Sequence, residues 1–558
     1  MFPIPHFLPK WLLLAAALQT GAIMAMAAPP AGETIYLQKC AMCHLPNGQG
    51  APPAFPPLAK SDWMMANRER TIRSVCEGLE GPIVVNGRHY NNVMPAQMLD
   101  DAGVAEVLTW VTNNWGNEAP PFTAEEVRQV RAKTRFPTYA DLEKAAAYQP
   151  LPTPPEGWKV EEVAQLPVFG TRLAGDGKGG PVYIMGERGT VFRMADGVVT
   201  PWIFPEQYAD ASKGTLSTMG LTLGPGGRLW LISNQKIERE GDTDGNLVIL
   251  WRSEPIKGDT PPVLKSFLTV TYPWGVGPFN HGVSHLAFGP DQMLYISSGS
   301  RTDSGEPGNQ PNIATEGESP LTASLWRLDT DDETPRIQIL AQGLRNAYGF
   351  DWNDQGELFT VSNGPDADAP EEMDFIQPGN HYGFPYQFSD WPRDRQVYPH
   401  TPETPEGLAF TLPVINDGPA GGGGAPGGLG TFDPHSSPGG MLWCGAGFGE
   451  PLRGGFLVTR FGNLLPAPED SGFDLLRVEP YRAKTTGLWR AKTTTVLAPL
   501  GRPLDVLPDG KGGVYILEYT RPTNFKSRIG WLPGRILRLA PTPAPAPAPA
   551  QPAAVPAR

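Results

Sequence analysis

Between about residues 158 and 540, a Gly- or Asp-rich turn followed by a β-rich run occurs six times. The copies span 177–184, 224–231, 289–296, 353–360, 452–458 and 508–516, and the third reads Gly289-Pro290-Asp291-Gln292-Met293-Leu294-Tyr295-Ile296. Each turn joins two strands of a hairpin, with aromatic and β-branched residues in the second strand. Runs such as Leu325-Trp326-Arg327-Leu328 and Ile536-Leu537-Arg538-Leu539 suit the outer strands of the same unit. A sheet unit repeated six times predicts a six-bladed β-propeller. A β-sandwich with common turns is the alternative, but sandwiches rarely repeat one motif six times. The stretches between copies (254–282, 300–322, 362–405 and the Gly-rich 416–440) read as loops that gather over one face of the central channel.

Ahead of the repeats stands Cys40-Ala41-Met42-Cys43-His44, the attachment signature of a c-type haem. Two thiols three positions apart can each bond a vinyl group of one porphyrin edge, and the adjacent His can bind the iron. A disulfide or a zinc half-site would need partners, and the other cysteines are only Cys76 and Cys444. Met94, followed by Pro95, is the candidate second axial ligand, with Met98 and His89 as rivals. Val104, Val107, Leu108 and Val111 recur at helical spacing through Trp115, after acidic Asp100 and Asp101 that favour a helix start. Cys76, among Ile72, Val75 and Leu79, reads as a buried thiol. Residues 32–117 thus read as an all-α domain. Through the haem motif, the Val93-Met94-Pro95-Ala96 segment and the helix running to Trp115-Gly116-Asn117, it resembles the class I cytochromes c that serve periplasmic dehydrogenases.

The N-terminus agrees with a haem attached after export. Lys10 precedes an apolar run from Trp11 to Leu18, and Ala25-Met26-Ala27 gives a small-x-small cleavage pattern, so residues 1–27 read as a signal peptide. The run is too short and interrupted for a confident membrane span. An uncleaved anchor is the alternative; on the first reading the mature protein is periplasmic, with no stable membrane span. Charged residues make up 18% and the net charge is -13, which argues against a nucleic-acid partner. Residues 118–157 read as a connector, with charged helical pieces from Thr123 to Lys133 and from Tyr139 to Ala147, then stiffened by Pro150, Pro152, Pro154 and Pro155. The Ala-Pro tail from 541 to 558 is given no structure.

Few histidines fall in the propeller. His281 lies at the mouth of a strand, where a base could meet substrate. Three segments occur in order: His281 through Asp291, Gly343-Leu344-Arg345-Asn346-Ala347-Tyr348-Gly349, and Ser362-Asn363-Gly364-Pro365 through Gly383-Phe384-Pro385. This series resembles the glucose/sorbosone dehydrogenase family of six-bladed quinoproteins. The resemblance implies that His281 takes the proton from a sugar hydroxyl. It implies that Arg345, Asn346 and Asn363 lie at pyrroloquinoline quinone (PQQ), with Arg345 stabilising its developing charge. The backbone carbonyls of Gly364 and Pro365 would bind Ca²⁺. Asp366, Asp368, Glu371 and Glu372 either tune that loop or form a solvated face. The fifth blade departs from the family: Thr459-Arg460-Phe461-Gly462-Asn463-Leu464 stands where relatives carry a His-Gly-Ser-Trp-Asn-Arg segment. Arg460 and Arg502 are read as contacts to a quinone carboxylate, with a blade-stabilising role open for Arg502.

The fold expected is therefore an all-α cytochrome c domain followed by an all-β six-bladed propeller. Its expected function is oxidation of a sugar, aldose or related alcohol or aldehyde with PQQ and Ca²⁺. Electrons would then pass through haem c to a soluble carrier or a terminal oxidase. Two alternatives remain: a propeller whose only redox partner is haem, and a quinone-free carbohydrate- or protein-binding module. An eight-bladed quinoprotein is disfavoured by six repeats and by the lack of a vicinal cysteine pair.

Overall fold

All six repeated turns occupy one structural place, the connection between the first and second strands of a blade. The first strands are Gly170–Ala174, Leu216–Gly224, Val283–Phe288, Ala347–Trp352, Pro438–Cys444 and Pro503–Pro508. The second strands are Val182–Gly186, Arg228–Ile237, Leu294–Ser298, Leu358–Ser362, Gly455–Arg460 and Val514–Glu518. The computed structural model describes residues 31–52, 55–79, 83–90, 94, 97, 99–133, 147–210, 213–214, 216–237, 244–275, 281–305, 317–332, 334–365, 369–389, 402–422, 430–463, 471–523 and 532–542. The expected signal peptide and residues 543–558 of the tail lie outside these.

First strands of successive blades contact one another around a closed ring, which makes the domain a six-bladed propeller. Among the described residues four blades are four-stranded, blade 4 has three strands, and blade 5 has five because Ile415–Pro419 adds in parallel beside Trp489–Leu497. The strand Trp158–Gln165 pairs antiparallel with Arg535–Pro541 and so completes blade 6 from the N-terminal side. Three stretches expected to be loops contain strands instead. Leu264–Pro273 is the outer strand of blade 2, Glu372–Phe375 the third strand of blade 4, and Ile415–Pro419 the added edge. The apolar side chains fill the spaces between blades, as where Tyr183 and Met185 of blade 1 meet Leu229, Leu231 and Ile249 of blade 2. Each such buried side chain contributes about 1.5–3 kcal/mol.

In an antiparallel blade the first strand begins where the second ends. Every first-strand start and second-strand end therefore lies on one face, here called the upper face, and the six repeated turns lie on the lower. The axis between the faces is filled. Arg172, only 1% exposed, extends from blade 1 to the carbonyls of Met219 (3.1 Å), Ser284 (3.4 Å) and Tyr348 (3.1 Å) in blades 2, 3 and 4. It also donates to Asp505 of blade 6 at 3.3 Å. His285 is packed beside it, and burial, reinforced by the Arg172 charge, holds its pKa well below the ordinary value. His285 is thus neutral, and the plug carries one cation compensated by one carboxylate.

The N-terminal unit is helical. Asp100 caps the helix Asp101–Val111 by accepting from Gly103 N at 2.7 Å, as its acidic start suggested. That helix ends at Val111, short of the expected Trp115, whose backbone has φ +54°. Trp115 instead folds back so that its ring packs 4.9 Å from both Tyr36 and Trp110. Only a glycine fits at position 32, because a Cβ there would lie 2.2 Å from the Glu106 carbonyl oxygen. This lets the helix Ala31–Lys39 cross Asp101–Val111 at backbone contact. The domain boundary also shifts from the expected 117. The helix Ala124–Lys133 buries Val127 and Val130 in the core with Ile72, Val104 and Leu108. Arg68 ties it down, 2.9 Å from Glu126 and stacked 3.6 Å over Phe122. Residues 118–133 belong to the haem unit, and the connector is correspondingly shorter; the expected helical piece 139–147 lies almost wholly outside the described residues.

Candidate active site

Both centres depend on a histidine whose tautomer is fixed by its backbone surroundings. His44 is 6% exposed, and its Nδ1 stands 2.9 Å from the Pro56 carbonyl oxygen. A carbonyl only accepts, so Nδ1 carries the proton and Nε2 keeps its lone pair, the arrangement a metal-binding imidazole needs. Burial lowers the His44 pKa, which keeps the ring neutral. Burial pushes the Cys40 thiol up to about 12 and Cys43 to about 11, so both present S–H groups that can add across vinyl bonds. The same unit holds a cavity of about 500 Å³ lined by Pro57, Lys60, Val85, Arg88, Tyr90 and Trp115. The residues present fit a haem. Met94 is half-buried and held by paired backbone hydrogen bonds with Leu79 at 2.8 and 2.9 Å. His89 is exposed on a short strand, and Met98 lies outside the described residues.

On the propeller's upper face, His281 precedes the first strand of blade 3. Its Nδ1 is 3.1 Å from Ser300 Oγ. That hydroxyl gives its own proton to the Thr302 carbonyl at 2.8 Å, so it accepts from Nδ1 and leaves Nε2 as a base. Gly299 sets the next contact: a Cβ there would lie 2.6 Å from His281 Cβ and 2.9 Å from Asn346 Oδ1. The missing side chain lets His281 and Asn346 approach each other.

Arg345 and Asn346 precede the first strand of blade 4, and Asn363 and Gly364 follow its second strand. Arg345 is 3% exposed. It donates to Asp303 Oδ1 at 2.6 Å, to the Asp303 carbonyl at 3.0 Å and to the Asn363 carbonyl at 3.2 Å. Of five guanidinium N–H groups, two are left for a ligand among the described residues. The side-chain oxygens of Asn346 and Asn363 are buried without a hydrogen-bond partner. Burying an unpaired polar atom costs about 1–3 kcal/mol, so a water or ligand donor reaching these two oxygens would be stabilising. The set fits a polar ligand that both donates and accepts hydrogen bonds, as a quinone-type cofactor with carboxylates would in its protonated and carbonyl groups.

The network continues toward blades 5 and 6. Glu371 accepts from Gly364 N and, at 3.3 Å, from Ser437 N; burial pushes its carboxyl up to about 7. Ser437 O receives Phe461 N at 3.0 Å, and the adjacent Asn463 carbonyl receives Arg502 at 2.8 Å. The face is thus joined from His281 to Arg502. Arg460 is differently placed from its expected role: its guanidinium pairs with Asp474 at 2.7 and 2.9 Å and with Asp433 at 3.1 Å. Its charge is already compensated. Arg502 packs between the rings of Phe461 and Phe473, at 5.0 and 5.1 Å. Gly364, expected with Pro365 to supply backbone carbonyls to Ca²⁺, lies under Phe388, whose ring would be 2.9 Å from a Cβ there. Asp366 and Asp368 lie outside the described residues. Beneath this loop, Glu372 and Asp374 are buried with three oxygens unpartnered, and burial raises both carboxyl pKa values. A proton or a cation there would relieve the cost.

Ser300, Asp303 and Glu371 complete the site, and the sequence reading assigned the first two no role. The available signal was positional. Ser300 and Asp303 follow the second strand of blade 3 as Asn363 and Gly364 follow that of blade 4.

Comparison with known proteins agrees with both halves. Residues 30–115 match the family described as Cytochrome c, and residues 272–425 match Glucose / Sorbosone dehydrogenase. Cytochrome c-552 of Thermus thermophilus is 41% identical over 138 residues, covering 23% of this chain and 90% of that protein. The cytochrome c subunit of the alcohol dehydrogenase (quinone) of Gluconobacter oxydans is 30% identical over 106 residues, 18% of this chain and 22% of that one. The PQQ-bound aldose sugar dehydrogenase of Streptomyces coelicolor aligns over 70% of this chain and 99% of its own, with 19% identity and a TM-score of 0.43. The chain belongs to the cytochrome c family through its N-terminal domain, and within its propeller residues 272–425 match the glucose/sorbosone dehydrogenase family.

Proposed function

We propose that the protein is an exported, periplasmic quinohaemoprotein that oxidises a sugar, an aldose or a related alcohol or aldehyde. The observation that carries this reading is the convergence of His281, Arg345, Asn346 and Asn363 on one face, with two buried amide oxygens left unpaired. His281 Nε2 takes the hydroxyl proton of the substrate, and Ser300 holds the ring in the tautomer that can do so. PQQ polarised by Ca²⁺ at Gly364 and Pro365 supplies, when bound, the acceptor for the hydride. Arg345, oriented by Asp303, offers its remaining N–H groups to the negative charge that develops on the acceptor. The plugged axis confines approach to the upper face. Each oxidation removes two electrons and two protons from the substrate. A haem held by Cys40, Cys43 and His44 would supply a one-electron relay from the site to a soluble carrier or terminal oxidase.

The test is spectral. Oxidised, haem-loaded protein is given PQQ and Ca²⁺, then a panel of aldoses, while the haem bands are followed. Reduction that requires both additions and is lost in His281→Ala supports the reading. No reduction with any sugar, together with no quinone retained, overturns it in favour of a binding module.

A further inference from the structure

The connector takes an unexpected course. Trp158, the first residue of the strand that completes blade 6, lies at the lower face: it pairs with Pro541 and donates to the Glu450 carbonyl at 2.7 Å. A haem domain joined directly there would hang below the propeller, away from His281. The chain does not leave there. Gln149 N donates to the Arg521 carbonyl at 2.7 Å, and Arg535 donates to the Gln149 carbonyl. Arg521 follows the second strand of blade 6 and Arg535 begins its third, so both lie on the upper face. The ring of Tyr148 packs under both guanidinium groups, at 4.6 and 5.1 Å. Arg535 is itself fixed, 2.7 Å from Glu518 and 3.0 Å from Glu162.

Residues 150–157 therefore run down the side of blade 6 from the upper face to the lower. Eight extended residues span about 25–30 Å, close to the rise of about 25 Å for an eight-residue strand. Prolines suit that path, because this stretch pairs with no strand and their missing N–H groups leave no donor unsatisfied. On the other side, the haem unit is folded as far as the helix ending at Lys133. The covalent chain from Lys133 to Ala147 can reach no more than about 50 Å.

We propose that Tyr148 and Gln149, clamped on Arg521 and Arg535, tether the haem domain to the propeller face that carries His281 and Arg345, so that haem takes its electrons from that face. The source of the electrons rests on the proposed function; the geometry of the tether does not. A tether of this length keeps the acceptor at an effective concentration near the millimolar range.

The geometry is tested on the full, haem-loaded chain with a maleimide dye that haem quenches by energy transfer. In a Cys76→Ser background the dye is placed at Lys213→Cys, on the upper face, or at Lys178→Cys, on the lower; both lysines are exposed. Quenching at least about twofold stronger at 213, diminished when Tyr148→Ala and Gln149→Pro are combined and kept in Tyr148→Phe, supports the clamp. Equal quenching, or stronger quenching at 178, overturns it, and that comparison needs no clamp variant to fold. The consequence is read with substrate, PQQ and Ca²⁺. The double variant slows haem reduction about twofold or more, because freeing residues 148–157 lengthens the tether and the effective concentration falls as about the −3/2 power of its length, while turnover with an artificial dye acceptor is unchanged. Unchanged haem reduction in that variant overturns the proposed role. Wild type that moves no electrons to either acceptor counts against the proposed function alone, since the quenching still decides the tether.

Discussion

Arg345 Nη2 lies 2.6 Å from Oδ1 of Asp303, a carboxylate with no exposed surface. Removing one partner of such a buried pair strands the other charge and costs about 3–5 kcal/mol. Asp303→Ala is expected to lower propeller stability by about that amount in denaturant unfolding, and Asp303→Asn by less, because the amide oxygen still accepts from Arg345. Equal losses in the two variants would show that the charge, which both lack, and not the hydrogen bond is what holds Arg345.

At Gly299, any side chain collides with His281 and Asn346 at once. Gly299→Ala is expected to abolish substrate-driven haem reduction while leaving the cytochrome spectrum intact, since the two centres have separate cores. Stopped-flow reduction beside a static spectrum checks both halves. Wild-type rates in the variant would mean that the approach of His281 to Asn346 is not required.

The haem ligands are tested separately. Met94→Ala is expected to remove the charge-transfer band of Met-ligated ferric haem and to lower the reduction potential. His89→Ala should leave both unchanged, because His89 is exposed. A spectrum indifferent to Met94 would direct attention to Met98.

Stability should fall as pH rises. Burial raises the carboxyl pKa of Glu372 and of Asp374, so the native state holds protons that the unfolded chain gives up. Their contribution is fully present below the ordinary carboxyl range, about 4, and is lost as pH climbs through the raised values. Tm measured without added cation from pH 5 to 9 should decline, and Asp374→Asn should flatten the slope. A slope steeper in Asp374→Asn than in wild type would contradict the assignment.

Much of the architecture could be read from short stretches. A turn such as 289–293 requires only its own residues, and the β-rich run after it requires only its own alternation, so six copies announced six blades. Cys40, Cys43 and His44 are adjacent in the chain, and their chemistry is equally local. The helix 124–133 was foreseen, but its owner was not. Val127 and Val130 show a face to be buried without saying against what, and only the packing on Ile72 and Val104 assigns them to the haem unit.

Arg345 and Asn346 could be named from their motif, but the motif is silent on Asp303, which reaches Arg345 across 42 residues. It is silent also on Arg172 and Asp505, which meet over a separation of 333. Likewise, Arg460 was legible as a cation on the site face, while the two carboxylates that compensate it come from separate segments. The prolines of 150–155 declared a stiff connector, yet its direction came from Tyr148 and Gln149 meeting Arg521 and Arg535. The sequence by itself determined the hairpins, the haem attachment and the types of residue at the site. Tertiary structure alone decided which charges are paired, that the axis is closed and which face the tether leaves. The division has one physical cause. Turn geometry and strand periodicity act between residues a few positions apart, whereas charge compensation and closure depend on which distant segments the ring of blades brings together.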